Sequence, residues 1–427
     1  MKKCLIIIAP LVLLTALLFP PISESQIEKP QIAQTIQTII KEKPFQEDIN
    51  IGDLYKERLA EAIEDYFNKA LRQNKIVGAS VGIVKCDSTI YLGGFGKRNT
   101  RLMDRVSEET IFRVGSVSKG FGGILAGIHV EEGLLSWDDK IVDYIPNFEL
   151  RNKNRTNEIT LSHVLSHSAG LPYHSYTNLV EDGVSLDEIA GSFKNIKSTR
   201  KPGTIYSYQN AAFALSGEVI ERVTGKSFGE VMQEKIFTPL EMVSASTDYE
   251  TLKNADNVAQ PHQKRYGRWR KVPMNTKYFN AIAAGGVNAS VVDMAKWMKF
   301  LLGHNPEVMK SASINDVFTP RIKVEGKSKY YQRWAGHKSS YYGLGWRIHN
   351  FVDRTTGASS KLIHHGGHVN SYRSEIALYP QEDIGITVLF NSPTKLARNV
   401  IPDIHKIIKE VMNIKEDELL SDEIAQL

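Results

Sequence analysis

Residues 112–119 read FRVGSVSK, and residues 120–133 continue as GFGGILAGIHVEEG. The second run is small and apolar almost to its end at Gly133, so it predicts a buried helix. The first run sets Ser116-Val-Ser-Lys119 at the mouth of that helix. On a first helical turn, residues i and i+3 share a face, which brings the Lys119 amine beside the Ser116 hydroxyl. There the amine can take the hydroxyl proton or hold the field that lowers its pKa. Backbone N–H groups and the positive end of the helix dipole favour an oxyanion at the same place. S-x-x-K also occurs at Ser198…Lys201 and Ser392…Lys395, but those pairs adjoin Pro202 and Pro393 in loop-like contexts. On the tetrad alone, Ser116 also reads as a helix-capping serine with a solvated lysine.

Working outward, VGASVGIVK (77–85) and STIYLGGFG (88–96) are β-rich runs broken at Cys86-Asp87, a hairpin pattern. Residues 53–75 predict a helix with Leu54, Leu59, Ile63 and Phe67 on one face. From Gly133 to about residue 275 most segments read as helices and loops. Ser290-Val-Val-Asp293 is a capping box opening the helix MAKWMKFLL. Residues 341–349, 361–366, 371–379 and 384–390 are strand-like. Residues 400–412 put Ile401, Ile404, Ile408, Val411 and Met412 near helical spacing. Strands, a long helical insert and strands again predict an α+β fold. One sheet is built from both ends of the chain and flanked by helices, with a mainly helical lobe inserted. A site belongs in the groove between lobes.

The whole chain has 427 residues, 42% hydrophobic, 24% charged and 9% aromatic, an ordinary globular composition. That excludes a disordered chain, a collagen-like chain and a polytopic membrane protein. A net charge of +5 without a dense basic block argues against nucleic acid as a partner. Two cysteines, Cys4 and Cys86, exclude a disulfide-rich scaffold. Met1-Lys-Lys3 is followed by the apolar run LIIIAPLVLLTALLF (5–19) and by Pro20-Pro21. As a helix that run covers about 22 Å, short of the hydrocarbon core of about 30 Å. Residues 1–25 are therefore expected to be a secretory signal peptide, an uncleaved anchor being the alternative. Residues 26–52 read as a linker and residues 413–427 as a tail.

Residues 112–119 resemble the active-site signature of class C β-lactamases and related penicillin-binding proteins: aromatic, acidic, aliphatic, Gly, Ser, x, Ser/Ala, Lys. Arg113 stands where the acidic residue is usual. That family's second element is Tyr-x-Asn, with matches here at Tyr176, Tyr208 and Tyr278. Residues 201–242 resemble the family's corresponding stretch almost throughout, with its Pro-Gly turn, aliphatic helix, Thr-Gly-Lys turn and Pro-Leu-x-Met close. The resemblance therefore selects Tyr208 and Asn210. A phenol near pKa 10 is a poor base, but neighbouring ammonium groups would stabilise its phenolate and let Tyr208 take the Ser116 proton. Asn210 offers an amide to Lys119 and to a substrate carbonyl.

The third element, Lys-Thr-Gly or His-x-Gly, matches His365-Gly366-Gly367, with His364 as a less well registered head. The backbone N–H of His368 would be the second oxyanion donor beside that of Ser116. His365 replaces a lysine, and Gly366 replaces a threonine whose hydroxyl would bind a substrate carboxylate. Ser371-Tyr372 stands where Gly-Phe is common. Residues 138–146, 165–172, 284–290 and 342–346 resemble further family segments.

The resemblance implies a β-lactamase/transpeptidase-like fold over residues 53–412, with an α/β lobe (53–120 and 276–412) and a helical lobe (121–275). It implies a secreted or periplasmic serine hydrolase acting through an acyl-enzyme, with no cofactor and no metal. The substrate would be a small molecule or a peptidoglycan peptide, and the membrane would be met only through an uncleaved N-terminal segment. D-Ala-D-Ala peptidase, esterase and β-lactamase stay open, and the departures at His365 and Gly366 favour the first two. The alternative is a non-catalytic penicillin-binding sensor or scaffold. His163 and His167 lie four apart but lack a third ligand at zinc-like spacing.

Overall fold

The computed structural model describes residues 51–353 and 355–415, and Lys56–Ile414 form one compact unit. The expected signal segment, residues 26–50 of the linker and residues 416–427 of the tail lie outside the described residues. Helix α1 (Ile51–Arg72) leads into the hairpin β1 (Gly78–Lys85) and β2 (Ser88–Gly96). A two-residue strand β3 (Phe112–Arg113) precedes helix α2 (Ser118–Glu131). Short helices follow, then the long helix α3 (Asn210–Thr224). The hairpin β4 (His262–Arg265) and β5 (Arg268–Lys271), the short β6 (Asn288–Ala289) and helix α4 (Val291–Leu301) lead back to the sheet. Its remaining strands are β7 (Ile322–Lys323), β8 (His337–Tyr342), β9 (Arg347–Val352), β10 (Ser359–Val369), β11 (Tyr372–Tyr379) and β12 (Ile384–Phe390), and helix α5 (Val400–Met412) follows them.

The expected antiparallel sheet flanked by helices is present. Its eight strands run in the order β2-β1-β12-β11-β10-β9-β8-β7. The β1–β12 pair, from Ala79↔Phe390 to Lys85↔Ile384, joins the two ends of the fold. Both faces of this pair are covered, so β12 is buried at every position and β1 at all but Lys85, without polar alternation. On one face Phe67 of α1 stacks on Phe95 with ring centroids 4.8 Å apart, and Tyr66 donates to Asp403 of α5 at 2.7 Å. On the other face lies α4, whose Trp297 stacks on Phe121 of α2 at 4.0 Å. That stack ties the nucleophile-bearing helix to the sheet through apolar contact.

Two expectations change. The strand read over 341–349 is broken after Tyr342 and resumes at Arg347. Gly345, at φ +87, turns the chain there, and Leu344 and Trp346 are buried. Residues 262–271 form a hairpin where helices and loops were expected. Its strands are polar and show no alternation, but Tyr266 and Gly267, at φ +49 and +75, make the two-residue turn that such hairpins favour.

Phe67 is wholly buried and its ring also approaches Phe390. Phe67→Ala is expected to lower unfolding stability by about 3–5 kcal/mol, read from the urea midpoint. A loss under about 1 kcal/mol would mean that α1 contributes little to the core.

Candidate active site

The turn carrying Ser116 is clamped from three sides. Val114 N–H donates to Val287 O at 3.1 Å, and Ser118 Oγ accepts from Val287 N–H at 3.0 Å. Ser374 Oγ of β11 donates to Val114 O at 2.6 Å. Gly115 has φ +54, and a Cβ there would stand 2.9 Å from the His368 nitrogen. A Cβ on Gly367 would fall on the Val114 carbonyl oxygen. The two missing side chains let β10 lie backbone to backbone against the nucleophile turn. The His368 amide thus stands against Gly115, next to Ser116, which is half-buried in the 3-10 turn Gly115–Val117 that leads into α2.

Lys119 is fully buried. Its Nζ donates to Asn210 Oδ1 at 2.8 Å and to Ala284 O at 2.7 Å, and it lies 5.0 Å from the Tyr208 ring centroid. Burial, reinforced by the charge of Arg347, holds its pKa well below the ordinary value of 10.5. The two acceptors match the two hydrogens of a neutral amine and leave its lone pair unused.

Tyr208 is buried with its phenol hydrogen-bonded to the Ser116 side chain. Burial pushes it up to about 12, against the lowering effects of Arg347 and Ser116. The phenolate expected from neighbouring cations is therefore not the resting state: desolvation outweighs their field. Tyr208 is held from behind by His167, whose ring centroid is 4.2 Å away and whose Nδ1 accepts from Gln209 N–H at 3.2 Å. His163 has a separate task, with its ring Nδ1 accepting from Thr160 N–H at 3.2 Å.

Asn210 opens α3 with its amide fixed at both ends. Oδ1 takes the Lys119 proton donor, and Nδ2 donates to Tyr278 OH at 2.9 Å. Thr177 Oγ1 lies 3.4 Å from the same nitrogen. The two unselected Tyr-x-Asn stretches thus supply Thr177 and Tyr278 as supports of the selected one. Arg113, which departs from the resembling signature, does not reach the groove. It is buried, donates to Asn275 O at 2.9 Å and to Lys277 O, and lies 4.4 Å from the Phe279 ring centroid. It clamps the loop that carries Tyr278.

The third expected element is only partly in the groove. Gly366 is half-buried and His368 exposed along the free edge of β10. His365 is fully buried, with Nε2 2.9 Å from Tyr342 OH and Nδ1 2.9 Å from Gly366 O. A carbonyl only accepts, so Nδ1 carries the hydrogen and Nε2 accepts from Tyr342. Burial and then the Arg347 and Lys119 charges hold the imidazole well below its ordinary value, hence neutral. As a correction to the expected substrate contact, both ring nitrogens of His365 are committed within the protein. His364 points to the other face and pairs with Glu375 at 2.8 Å.

Sequence reasoning missed Arg347. Its guanidinium lies 5.3 Å from the Tyr331 ring centroid and 5.8 Å from that of Tyr208. Its Nε is buried with no partner, and the groups that shift it are tyrosines, with no carboxylate among them. Its only sequence signal is its place directly after Tyr342-Gly-Leu-Gly-Trp346. A groove of about 1210 Å³ is lined by His368, Tyr278 and the Lys277–Glu181 ion pair (2.6 Å), next to the site but without Ser116, Lys119 or Tyr208 in its wall. It offers room for an extended substrate.

A family model described as beta-lactamase matches residues 59–406. An unguisins hydrolase of Aspergillus campestris is 26% identical over 359 residues, 82% of this chain and 63% of that protein. The chain thus spans about three fifths of the length of that relative. A beta-lactamase of Escherichia coli K12 is 27% identical over 353 residues, 75% of this chain and 85% of that one. The structure of the octameric penicillin-binding protein homologue from Pyrococcus abyssi is similar with a TM-score of 0.69 at 28% identity, covering 81% of this chain and 77% of that one.

Tyr278→Phe removes the acceptor that orients the Asn210 amide and leaves Nδ2 without its best partner. The expected result is a loss of about 1–3 kcal/mol in stability and slower labelling of Ser116 by a fluorophosphonate. Unchanged labelling would show that Asn210 is oriented without Tyr278.

Proposed function

The chain belongs to the beta-lactamase family, and from that premise we propose that it is a secreted serine hydrolase that cleaves amides or esters through an acyl-enzyme. The reading rests on one observation above all: the Tyr208 phenol is hydrogen-bonded to the Ser116 side chain, and behind it lies the buried amine of Lys119, bonded to Asn210 Oδ1 and in no ion pair with a carboxylate among the described residues. Ser116 Oγ attacks the carbonyl carbon. Its proton passes to the neutral Lys119 amine, with the un-ionised Tyr208 hydroxyl as relay. The oxyanion is received by the N–H groups of Ser116 and His368. Collapse breaks the C–N or C–O bond, and the leaving group takes a proton back from Lys119. Water then attacks the ester of Ser116 and gives its proton to the same pair; the bond from the acyl carbon to Oγ breaks, Ser116 takes that proton back and the acid is released.

Within the family, a peptidase of the D-Ala-D-Ala type or an esterase fits better than an efficient β-lactamase. His365 brings no charge to the groove, and Gly366 brings no hydroxyl. Two relatives, a hydrolase and a beta-lactamase, support the general class. The apolar run at residues 5–19 supports export, with a membrane tether if it is retained. The catalytic unit is proposed to occupy residues 53–412, with a helical lobe over 121–275.

Ser116→Ala is expected to reduce hydrolysis of a chromogenic ester or D-Ala-D-Ala peptide by roughly a thousandfold or more, with a cephalosporin the poorest substrate of the wild type. Retained hydrolysis in that variant would remove Ser116 from the reaction. A base that must be neutral gives a rate that rises with pH. kcat/KM should climb through one ascending limb whose midpoint lies well below lysine's ordinary 10.5. A midpoint at 10.5 or above would exclude Lys119 as that base.

A further inference from the structure

Residues 69–75, 97–105 and 262–271 hold twelve lysines and arginines and one acid, Asp104, in a chain whose net charge is +5. The rest of the sequence is therefore net negative, and the fold brings the three basic segments together. Asn74, just after α1, donates through Nδ2 to Gly267 O at 3.1 Å. Its own carbonyl accepts from Lys264 Nζ at 3.0 Å and from Trp269 Nε1 at 3.3 Å. His262 Nε2 accepts from Thr100 N–H at 3.1 Å. A pocket of about 360 Å³ lies where the segments meet, lined by Leu71, Ile76, Lys97, Met103, Arg105 and Trp269.

The hairpin sorts its residues by side. Register sets Lys264 opposite Trp269 and His262 opposite Lys271, and directly opposed residues share a face. Lys264 and Trp269 are bonded to Asn74 and His262 is buried, which turns that side to the protein. Apart from Gln263, which donates to Ser371 Oγ at 3.0 Å, the other side carries Arg265, Arg268 and Arg270, all exposed. Arg265 stands directly opposite Arg268. Like charges so placed destabilise a free hairpin, so the arrangement needs a reason outside the hairpin itself. Asp104 is engaged by Arg98 at 3.5 Å, and among the described residues no carboxylate pairs with Arg101, Arg105, Arg265, Arg268 or Arg270.

Apolar side chains stand among these charges. Of the eight exposed large apolar residues described, three are here: Leu102 (51% exposed), Met103 (82%) and Tyr266 (104%), the last at the hairpin turn. A soluble polyanion would leave Leu102 and Met103 in water. An anionic bilayer takes both kinds of group: its phosphates meet the guanidiniums, and the apolar tips enter the headgroup region. Among the described residues no helix is long and apolar enough to cross a membrane, so such a contact is made at the surface. Lys75, Lys264 and Trp269 also share the wall of the groove beside the site with His368 and Tyr278.

We propose that the β4–β5 hairpin and the 97–105 loop form a docking surface for an anionic lipid bilayer. Arg265, Arg268 and Arg270 take the headgroup phosphates, and Tyr266, Leu102 and Met103 seat at the interface. Docking brings the groove beside Ser116 to the bilayer. The surface is separate from the apolar run at residues 5–19 and holds whether or not Ser116 is the nucleophile.

The test measures binding of the full chain to vesicles of phosphatidylcholine alone and of a phosphatidylcholine–phosphatidylglycerol mixture, at low and high salt. The wild type is expected to bind the mixture about tenfold or more tighter, with the difference shrinking at high salt. Arg265→Ser, Arg268→Ser and Arg270→Ser together should lose about tenfold or more of the affinity for the mixture, with fluorophosphonate labelling of Ser116 unchanged. Leu102→Ser, Met103→Ser and Tyr266→Ser together should also weaken vesicle binding. Residues 1–50 are the same in every variant, so the comparison between variants isolates the surface. Amide hydrogen exchange reads the contact directly: residues 101–104 and 265–268 should exchange more slowly on the mixed vesicles. Equal binding by the wild type and the arginine variant, with unchanged exchange at both loops, overturns the proposal. Binding that needs the arginines but not the apolar residues, and that a duplex DNA fragment matches, marks a site for soluble polyanions and overturns the lipid assignment. Neither result bears on the hydrolase reading.

Discussion

The contact on which the rest of this structure depends is one between two stretches of backbone. β10 at Gly367–His368 runs against the turn Val114–Ser116, and no side chain separates them. Glycines at 115 and 367 are required by that approach, and Ser374 pins it with a hydrogen bond to Val114 O. The consequence is chemical as well as mechanical. Two amides from different parts of the chain come to one place, where an oxyanion could be received without reorganisation. The β3–β6 pair and the Phe121–Trp297 stack then hold the turn and its helix against the sheet.

Burial is the second organising term. Lys119, fully buried, and Arg347, half-buried, lie beside Tyr208, and among the described residues neither is in an ion pair with a carboxylate. A low-dielectric site cannot keep both charged at low cost, and intrinsic proton affinity decides which yields. The guanidinium keeps its proton, because its pKa starts at 12.5 and the surrounding tyrosines favour the charge. The amine gives way, and its two neighbours on Asn210 and Ala284 suit the neutral form. An amine in that state can serve as a base while the guanidinium remains the cation.

This division explains what was legible in the sequence. Ser116, Lys119, Tyr208 and Asn210 are recognisable because their spacing within helices and turns is local, and β1, β2, β11 and β12 because apolar strand runs are local as well. Arg347, His167 and Tyr278 act through neighbours 42 to 139 positions away in the chain, for example His167 on Gln209 and Arg347 on Tyr208. Nothing in their immediate sequence marks them. The hairpin at 262–271 escaped notice because its strands are polar, and the chain break after Tyr342 because Tyr341–Trp346 is apolar on both sides of the turn. Arg113 looked like a change to the site, yet its partners in the 275–279 loop make it a support for Tyr278.

Packing also accounts for the third motif. Taken singly, His365 for lysine and Gly366 for threonine look like losses. In the fold each has its own partners. The His365 imidazole satisfies the buried hydroxyl of Tyr342 and donates to Gly366 O, so a lysine there would leave Tyr342 unpaired. Gly366 leaves room for Glu375 and Tyr330, so a threonine there would collide with both. Restoring either family residue alone would therefore cost buried hydrogen bonds before it gained a substrate contact. The two substitutions belong with Tyr342, Tyr330 and Glu375 as one packed set.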